Sequence, residues 1–400
     1  MSSELQGQPA TGSEARPWVK LRSAAYRPFI YRKMVQQASP DAAPGDVVRV
    51  LDRHEAVFGS AFYNPRSEIV LRMLAFDERP IDEGFWTGSI ARAVALRRDV
   101  LKLDGRTSAY RVIHAEGDGL SGLVVDRYDE VLAIQVYSLG VARLLPELVP
   151  MLRRACGTRY HTVGVDDRTR QAEGIDALLP DSPDLPRSVK ISENGVRFKV
   201  RFDGGHKTGF FCDQRDNRVK LAGLAAGADV LDVCCFSGGF GLYAKVQGAA
   251  ADVTGVDLDE EAIAMARDNM NLNSVQFKLV HADAFSYLRQ MRTNDRRYDV
   301  VVLDPPKLIF GRNDAEEGRK KYYDLNRLAM DVVKPGGLLV TCSCSGAVSW
   351  GDFTRIVVGS ARSAGRTIQF IDRTGAAGDH PIRPDAPESE YLKVAWMRLT

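Results

Sequence analysis

No run of about 18 apolar residues occurs in this 400-residue chain, so no membrane-spanning helix is expected. Its six cysteines (Cys156, Cys212, Cys234, Cys235, Cys342, Cys344) include no CxxC pair. That disfavours a zinc site or a disulfide framework, leaves no metal expected, and points to a reducing cytoplasm. Net charge is low, +2, and does not by itself announce a nucleic-acid partner. Residues 1–16 are polar and lack the apolar core of a signal peptide, which reads as a disordered leader. Internal repeats are absent.

What is present is a globular composition, 44% hydrophobic and 26% charged, long enough for two or three domains. Arg16, Lys20, Arg22, Arg27, Arg32 and Lys33 precede Asp41 with almost no acid among them, interleaved with Trp18, Tyr26, Phe29 and Tyr31. Such a stretch suits phosphate and base contacts, although a solvated domain surface explains it equally well. Val47 to Leu51, Val57 to Tyr63 and Ile69 to Leu74 read as short strands of a small barrel. A helix follows over Phe85 to Leu103. The expected units are a barrel over 17–92, a central α/β unit over 93–187 ending in the Pro-rich 180–186 linker, and a third unit over 188–400.

The third unit alternates strand and helix, the pattern of a largely parallel sheet. Val230 to Val233 forms a strand that runs into the loop Cys234-Cys235-Phe236-Ser237-Gly238-Gly239-Phe240-Gly241. This loop lacks the third glycine of a dinucleotide cradle, so a nicotinamide cofactor fits poorly. Asp257 ends a second strand about 20 residues on, where a carboxylate reaches ribose hydroxyls. Asp283 ends a third, where it can accept from an adenine amine. Asp304-Pro305-Pro306-Lys307 ends a fourth. Four such ends in series describe the S-adenosylmethionine site of class I methyltransferases; the plainer role for Asp257 and Asp283 is helix capping.

Gly336 to Val340 feeds an apolar strand into Thr341-Cys342-Ser343-Cys344-Ser345. Chemistry in open α/β sheets sits outside the carboxyl ends of strands. A thiol and the Asp304 carboxyl delivered there suggest nucleophilic catalysis with an acid partner. Cys342 and Cys344 lie two apart and point the same way on a strand, so periodicity does not separate them; Cys344 is favoured because it lies nearer the carboxyl end. Cys156, Cys234 and Cys235 read as packing thiols.

Gly205-His206-Lys207-Thr208-Gly209-Phe210-Phe211-Cys212-Asp213-Gln214-Arg215, the Phe236 loop, Asp304-Pro305-Pro306-Lys307, Ser343-Cys344-Ser345-Gly346 and Asp379-His380-Pro381-Ile382 with Tyr391-Leu392-Lys393 recur together in one family. On these motifs the chain resembles the type I large-subunit ribosomal RNA cytosine-5 methyltransferases. The resemblance spans nearly everything after Arg16, including Asp118-Gly119-Leu120-Ser121-Gly122 and Asp126-Arg127-Tyr128. It implies a PUA domain, a central α/β domain and a Rossmann-like methyltransferase domain. It also implies S-adenosyl-L-methionine held by Phe211, Asp232, Phe236, Ser237, Gly238, Gly239, Asp257, Asp283 and Asp304.

By the same resemblance Cys344 is the nucleophile and Asp304 its acid partner, with Lys307, His206, Lys207, Arg215 and His380 toward substrate or RNA. A structural turn is as good a reading of His206 and Lys207, and a structural role is the better one for His380. The implied partner is large-subunit (23S) ribosomal RNA, and a homodimer is allowed. Two departures stand out: Tyr26-Arg27-Pro28-Phe29-Ile30-Tyr31 replaces the family's His-Pro-Trp opening, and Cys342 replaces an apolar residue. The competing readings are an RNA guanine exocyclic-amine methyltransferase, a non-catalytic RNA-binding assembly factor, and a small-molecule methyltransferase.

Overall fold

The computed structural model describes residues 16–202, 210–311 and 314–400. The leader up to residue 15, and His206 and Lys207, lie outside the described residues. No described helix is long and apolar enough to cross a membrane.

The first unit is a six-stranded sheet of β1 (Trp18–Leu21), β2 (Phe29–Tyr31), β3 (Val35–Ala38), β4 (Val47–Leu51), β5 (Val57–Tyr63) and β6 (Ile69–Ala75), in the order β2-β6-β5-β4-β1-β3. Alternation puts Val19 and Leu21 inward against Ile30, Val48, Val50 and Val70. The basic amino-terminal stretch is partly neutralised by acids distant in sequence: Lys20 reaches Glu55 at 2.6 Å and Arg32 reaches Glu68 at 3.5 Å.

Helix α1 (Glu83–Ala95) starts where the Asp82 side chain accepts from the Phe85 amide. It passes into a π turn over Leu96–Val100, so the helix expected through Leu103 changes pitch. Arg97 in that turn is fully buried and donates to Asp118 at 2.6 Å and to the Asp379 carbonyl at 2.6 Å. Trp86 and Ile90 of α1 pack with Tyr110, Leu123 and Leu145, in the core of the next unit. Residue 92 therefore lies inside a helix that leans on the central unit.

That unit is a meander of β7 (Ala109–His114), β8 (Leu123–Tyr128) and β9 (Val131–Val136), then α2 (Leu139–Cys156), β10 (Tyr160–Gly164) parallel to β9, and α3 (Asp167–Glu173). Every residue of β9 is buried. Its Leu132, Ile134 and Val136 pack with the α2 leucines, while Val131 and Ala133 face a hairpin of β11 (Ser188–Glu193) and β12 (Val196–Arg201). A strand apolar on both faces is what two covering layers require.

The third unit begins with α4 (Arg215–Ala222) and continues through β13 (Asp229–Val233), α5 (Gly239–Val246), β14 (Asp252–Asp257), α6 (Glu260–Leu272), β15 (Lys278–His281) and α7 (Ala284–Thr293). It closes with β16 (Tyr298–Leu303), α8 (Ala315–Asp331), β17 (Val333–Ser343), α9 (Trp350–Ser363), β18 (Ile368–Thr374) and β19 (Lys393–Leu399). The sheet order is β15-β14-β13-β16-β17-β19-β18, parallel from β15 to β17 with β19 antiparallel to both neighbours. Strand order reverses between β13 and β16, the place where open α/β sheets bind ligands. In α8 the fully buried tyrosine is Tyr322, not the Tyr323 that helical spacing suggests.

Candidate active site

The loop after β13 is tightly wound. Cys234 and Phe236 adopt left-handed backbone, with φ of 61° and 47°, as does Gly238 at 78°. Left-handed non-glycine residues carry strain and cluster at functional sites. A Cβ on Gly238 would stand 3.2 Å from the Ala266 Cβ of α6, so glycine lets the loop pass close to that helix. Asn269 donates to the Ser237 carbonyl at 3.0 Å, and Asp232 accepts from the Gly241 amide at 3.0 Å. Burial pushes the Asp232 carboxyl up to about 7.

Asp257 ends β14 and ties the loops together: its two oxygens accept from the amides of Phe236 (2.8 Å) and Asp259 (2.9 Å). The cap of α6 is Asp259 rather than Asp257. Asp283 does cap α7, accepting from the Ser286 amide at 2.9 Å. Both carboxyls nonetheless line one cavity, beside Phe236, Leu258 and Phe285. Phe211, exposed, meets Phe236 edge-on at 5.0 Å. The crevice thus pairs carboxylates with an apolar and aromatic wall. Cys234 lines it too while packing against the core of the sheet.

Asp304 stands at the end of β16 and accepts from the Gln214 side chain at 2.9 Å. Burial, reinforced by the charge of Asp213, pushes its carboxyl up to about 7. Cys344 opens on the same cavity as Asp304. Burial, then the charges of Asp304 and Asp213, push its thiol up to about 12. Cys342 is fully buried behind the wall, within 3.5 Å of the Gln214 amide. The two thiols share a strand face, yet only Cys344, just past the strand end, reaches open space.

Residues without an assigned role in the sequence support this wall. Lys393 is 2% exposed and donates to the carbonyls of Ser345 and Tyr391, each at 2.7 Å, with burial drawing its ammonium down to about 8. Tyr322 accepts from Ser343 at 3.0 Å and meets Ser345 at 3.1 Å. The signal for Lys393 was its place in the tail motif; for Tyr322 helical spacing pointed to its neighbour Tyr323 instead.

Other expected site residues are dispersed. His380 is buried beside Asp379 at 3.2 Å and lines the cavity. Arg215 is buried in ion pairs with Asp379 (2.8 Å) and Glu193 (3.4 Å), outside the lining. Lys307 is exposed, its ammonium 5.4 Å from the centre of the Phe310 ring, also outside the lining. The far wall comes from the other two units: Val124, Gln135 and Tyr137 from the middle one, and Phe29, Ile69 and Arg72 from the barrel. Arg72 lies 5.3 Å over the Phe29 ring. At about 1120 Å³ the cavity exceeds the usual volume of about 300–1,000 Å³ for one small ligand.

Residues 155–397 match the S-adenosylmethionine-dependent methyltransferase family, and residues 22–76 match a PUA-like domain. Over 376 residues the chain is 36% identical to ribosomal RNA large subunit methyltransferase I of Vibrio cholerae, covering 92% of this chain and 94% of that protein. Over 358 residues it is 39% identical to the protein of that name from Shewanella frigidimarina, covering 87% and 89%. This chain belongs to the ribosomal RNA large subunit methyltransferase I family. The fold is shared with the crystal structure of SMU.776 complexed with SAH, at a TM-score of 0.78 and 22% identity over 93% of this chain and 95% of that one.

As a member of an S-adenosylmethionine-dependent family, the chain is a methyltransferase and takes that cofactor. The crevice fits it chemically: carboxylates at Asp257 and Asp283 suit ribose hydroxyls and an adenine amine, and Phe236, Leu258 and Phe285 suit the purine faces.

Proposed function

We propose that this methyltransferase acts on carbon 5 of a cytosine in large-subunit ribosomal RNA, through a covalent adduct on Cys344. The observation that carries the reading is the shared cavity of one open thiol and one carboxyl raised to about 7. The relatives' names support the RNA substrate, and Phe29 on the barrel wall supplies an aromatic face for it, Arg72 being paired with Glu116 and Glu173.

Carbon 5 of cytosine is a poor nucleophile. The Cys344 thiolate adds to carbon 6, and the electron pair of the 5,6 double bond makes carbon 5 enamine-like. Charge then develops on the ring nitrogen. Asp304 in its neutral form donates a hydrogen bond there, an interaction of the kind worth about 10²–10³ in rate. Pro305 and Pro306 stiffen the turn that carries it. S-adenosylmethionine, when bound by the Asp257, Asp283 and Phe236 loops, supplies an electrophilic methyl group. Transfer of the carbon 5 proton to solvent water afterwards restores the double bond and expels the Cys344 thiolate. A duplex hides the reacting face, so the target base must be unstacked into the cavity.

The test is trapping. Ribosomal RNA carrying 5-fluorocytosine lacks the proton that must leave, so the enzyme stalls as a methylated adduct. Peptide mapping is expected to place the bond on Cys344, and Cys344→Ser is expected to abolish the adduct. Methylation of an exocyclic amine gives no adduct at all, and that result would overturn the reading.

A further inference from the structure

Asp213 sits in a 3-10 turn, Cys212–Gln214, on the cavity wall beside Asp304, Cys344 and Tyr391. It is 9% exposed. Its Oδ2 accepts from the Tyr391 hydroxyl at 2.6 Å, while its Oδ1 is buried with no hydrogen-bond partner among the described residues. Such an orphan acceptor costs free energy unless something fills it. The tyrosine fixes the orientation of the carboxyl and leaves that oxygen for a ligand. The influence of Asp213 on both Asp304 and Cys344 places it within electrostatic reach of the reacting groups.

We propose that Asp213 Oδ1 accepts from the exocyclic amine of the target base and is the residue that selects cytosine over uracil. The inference rests on the cytosine reading above. Cytosine presents a ring-nitrogen acceptor next to an N–H2 donor, matching a neutral Asp304 that donates and an Asp213 oxygen that accepts. Uracil presents the reverse, an N–H next to a carbonyl. An ionised Asp304 accommodates the uracil N–H, but no protonation of Asp304 relieves the uracil carbonyl facing Asp213 Oδ1. Discrimination therefore falls to Asp213, by repulsion of the wrong base as well as attraction of the right one.

The experiment uses two RNA oligonucleotides identical but for 5-fluorocytosine or 5-fluorouracil at the mapped target position. The full-length enzyme is expected to trap the first and ignore the second. Asp213→Asn is expected to trap the cytosine RNA about 10–100-fold more slowly, the loss of one such hydrogen bond, and to narrow the preference over uracil at least about tenfold. The amide can turn its N–H2 toward the uracil carbonyl, whereas Asp213→Ala loses rate without that gain. Tyr391→Phe keeps the ring and frees Oδ2; it is expected to narrow the preference less, and it carries the test if the Asp213 variants fold poorly. Unchanged discrimination in Asp213→Asn and Tyr391→Phe overturns the proposal. So does a stalled adduct of Asp213→Asn on ordinary cytosine RNA, which would make Asp213 the acceptor of the carbon 5 proton instead. Failure of the unmutated enzyme to trap fluorocytosine is a different result, and it removes the underlying cytosine reading.

Discussion

Asp379, fully buried behind the cleft, and Asp304, half-buried on its wall, are acids whose surroundings push them in opposite directions. Asp379 accepts from Arg215 at 3.0 and 2.8 Å, from the Arg111 amide at 2.8 Å, and pairs with His380. Burial alone would raise its carboxyl; the charges of His380 and Arg215 outweigh that and hold it well below the usual range. Asp304 has the neutral Gln214 instead of a cation, so burial wins and the carboxyl rises to about 7. The same contrast runs through both regions. Behind the cleft, Arg97–Asp118, Arg111–Asp126 and Arg215–Asp379 are ion pairs within their units, and hydrogen bonds from Arg97 to the Asp379 carbonyl, from the Arg111 amide to the Asp379 side chain and from Arg215 to the Ala109 carbonyl join the central unit to the methyltransferase unit. On its wall, neither Asp213 nor Asp304 forms an ion pair among the described residues. Acids behind the cleft face cations, and those facing the cavity are left with something to offer.

The sharpest way to break the comparison is at the thiols. Cys344→Ala is expected to reduce kcat/KM at least about 10⁴-fold, by removing the nucleophile itself. Cys342→Ala is expected to stay within about tenfold and to show its cost mainly as a loss of unfolding free energy, up to about 3 kcal/mol for a small buried truncation. Equal losses would place the chemistry on either thiol and undo the distinction drawn from exposure.

Next in size is the paired region. Arg215→Ala leaves Asp379 buried without its guanidinium, while Glu193 keeps Arg218 at 3.2 Å, and is expected to destabilise by about 3–5 kcal/mol in denaturant unfolding. A shift below about 1 kcal/mol would mean that the contacts behind the cleft are not what holds the units together.

Asp304→Asn is expected to lower kcat by about 10²–10³. Its pH profile is the finer test. Below about pH 7 Asp304 is in its donating form and the rate follows the Cys344 thiolate, rising tenfold per unit; above about 7 loss of the donor cancels that rise and kcat/KM levels off. In Asp304→Asn the rise is expected to continue past 7. Stability moves the other way. A carboxyl raised from 3.8 to about 7 is protonated more readily in the folded state, so its cost is absent below about pH 4 and grows as pH rises through about 7. Asp304→Asn is therefore expected to be the more stable form at pH 8, by up to about 4 kcal/mol, with the advantage gone at pH 4.

The smallest effect belongs to the loops. Asp257→Asn is expected to weaken S-adenosylmethionine binding about tenfold in calorimetry, with little change in the melting temperature of the cofactor-free protein. If melting falls sharply while affinity holds, Asp257 serves only to tie Phe236 to Asp259.

The methyltransferase sheet was legible because its signals are local. Val230–Val233, Val253–Val256 and Tyr298–Leu303 are apolar runs with a glycine loop or an acid at the carboxyl end, and the structure forms strands over them. The central unit was harder. Strand β10 is only partly apolar and α3 is short and polar, so neither has a strong period. Helical spacing puts Tyr323 on the inner face of α8, and only packing shows that Tyr322 is the buried one. The two cysteines are equal by alternation until depth in the cleft is known. Arg215 and Asp213 sit two residues apart in one motif, yet one is locked in ion pairs and the other faces the cavity.

Residue order alone determined the strand ends, and with them the acids, the glycine loop and the thiols that an open parallel sheet carries to its carboxyl edge. Only the tertiary structure decided which thiol meets solvent, which acids find cations, and that walls from all three units close around one cavity. Strand and turn formation depend on neighbours a few residues apart, whereas burial and charge pairing depend on groups brought together from separations as large as the 164 residues between Arg215 and Asp379.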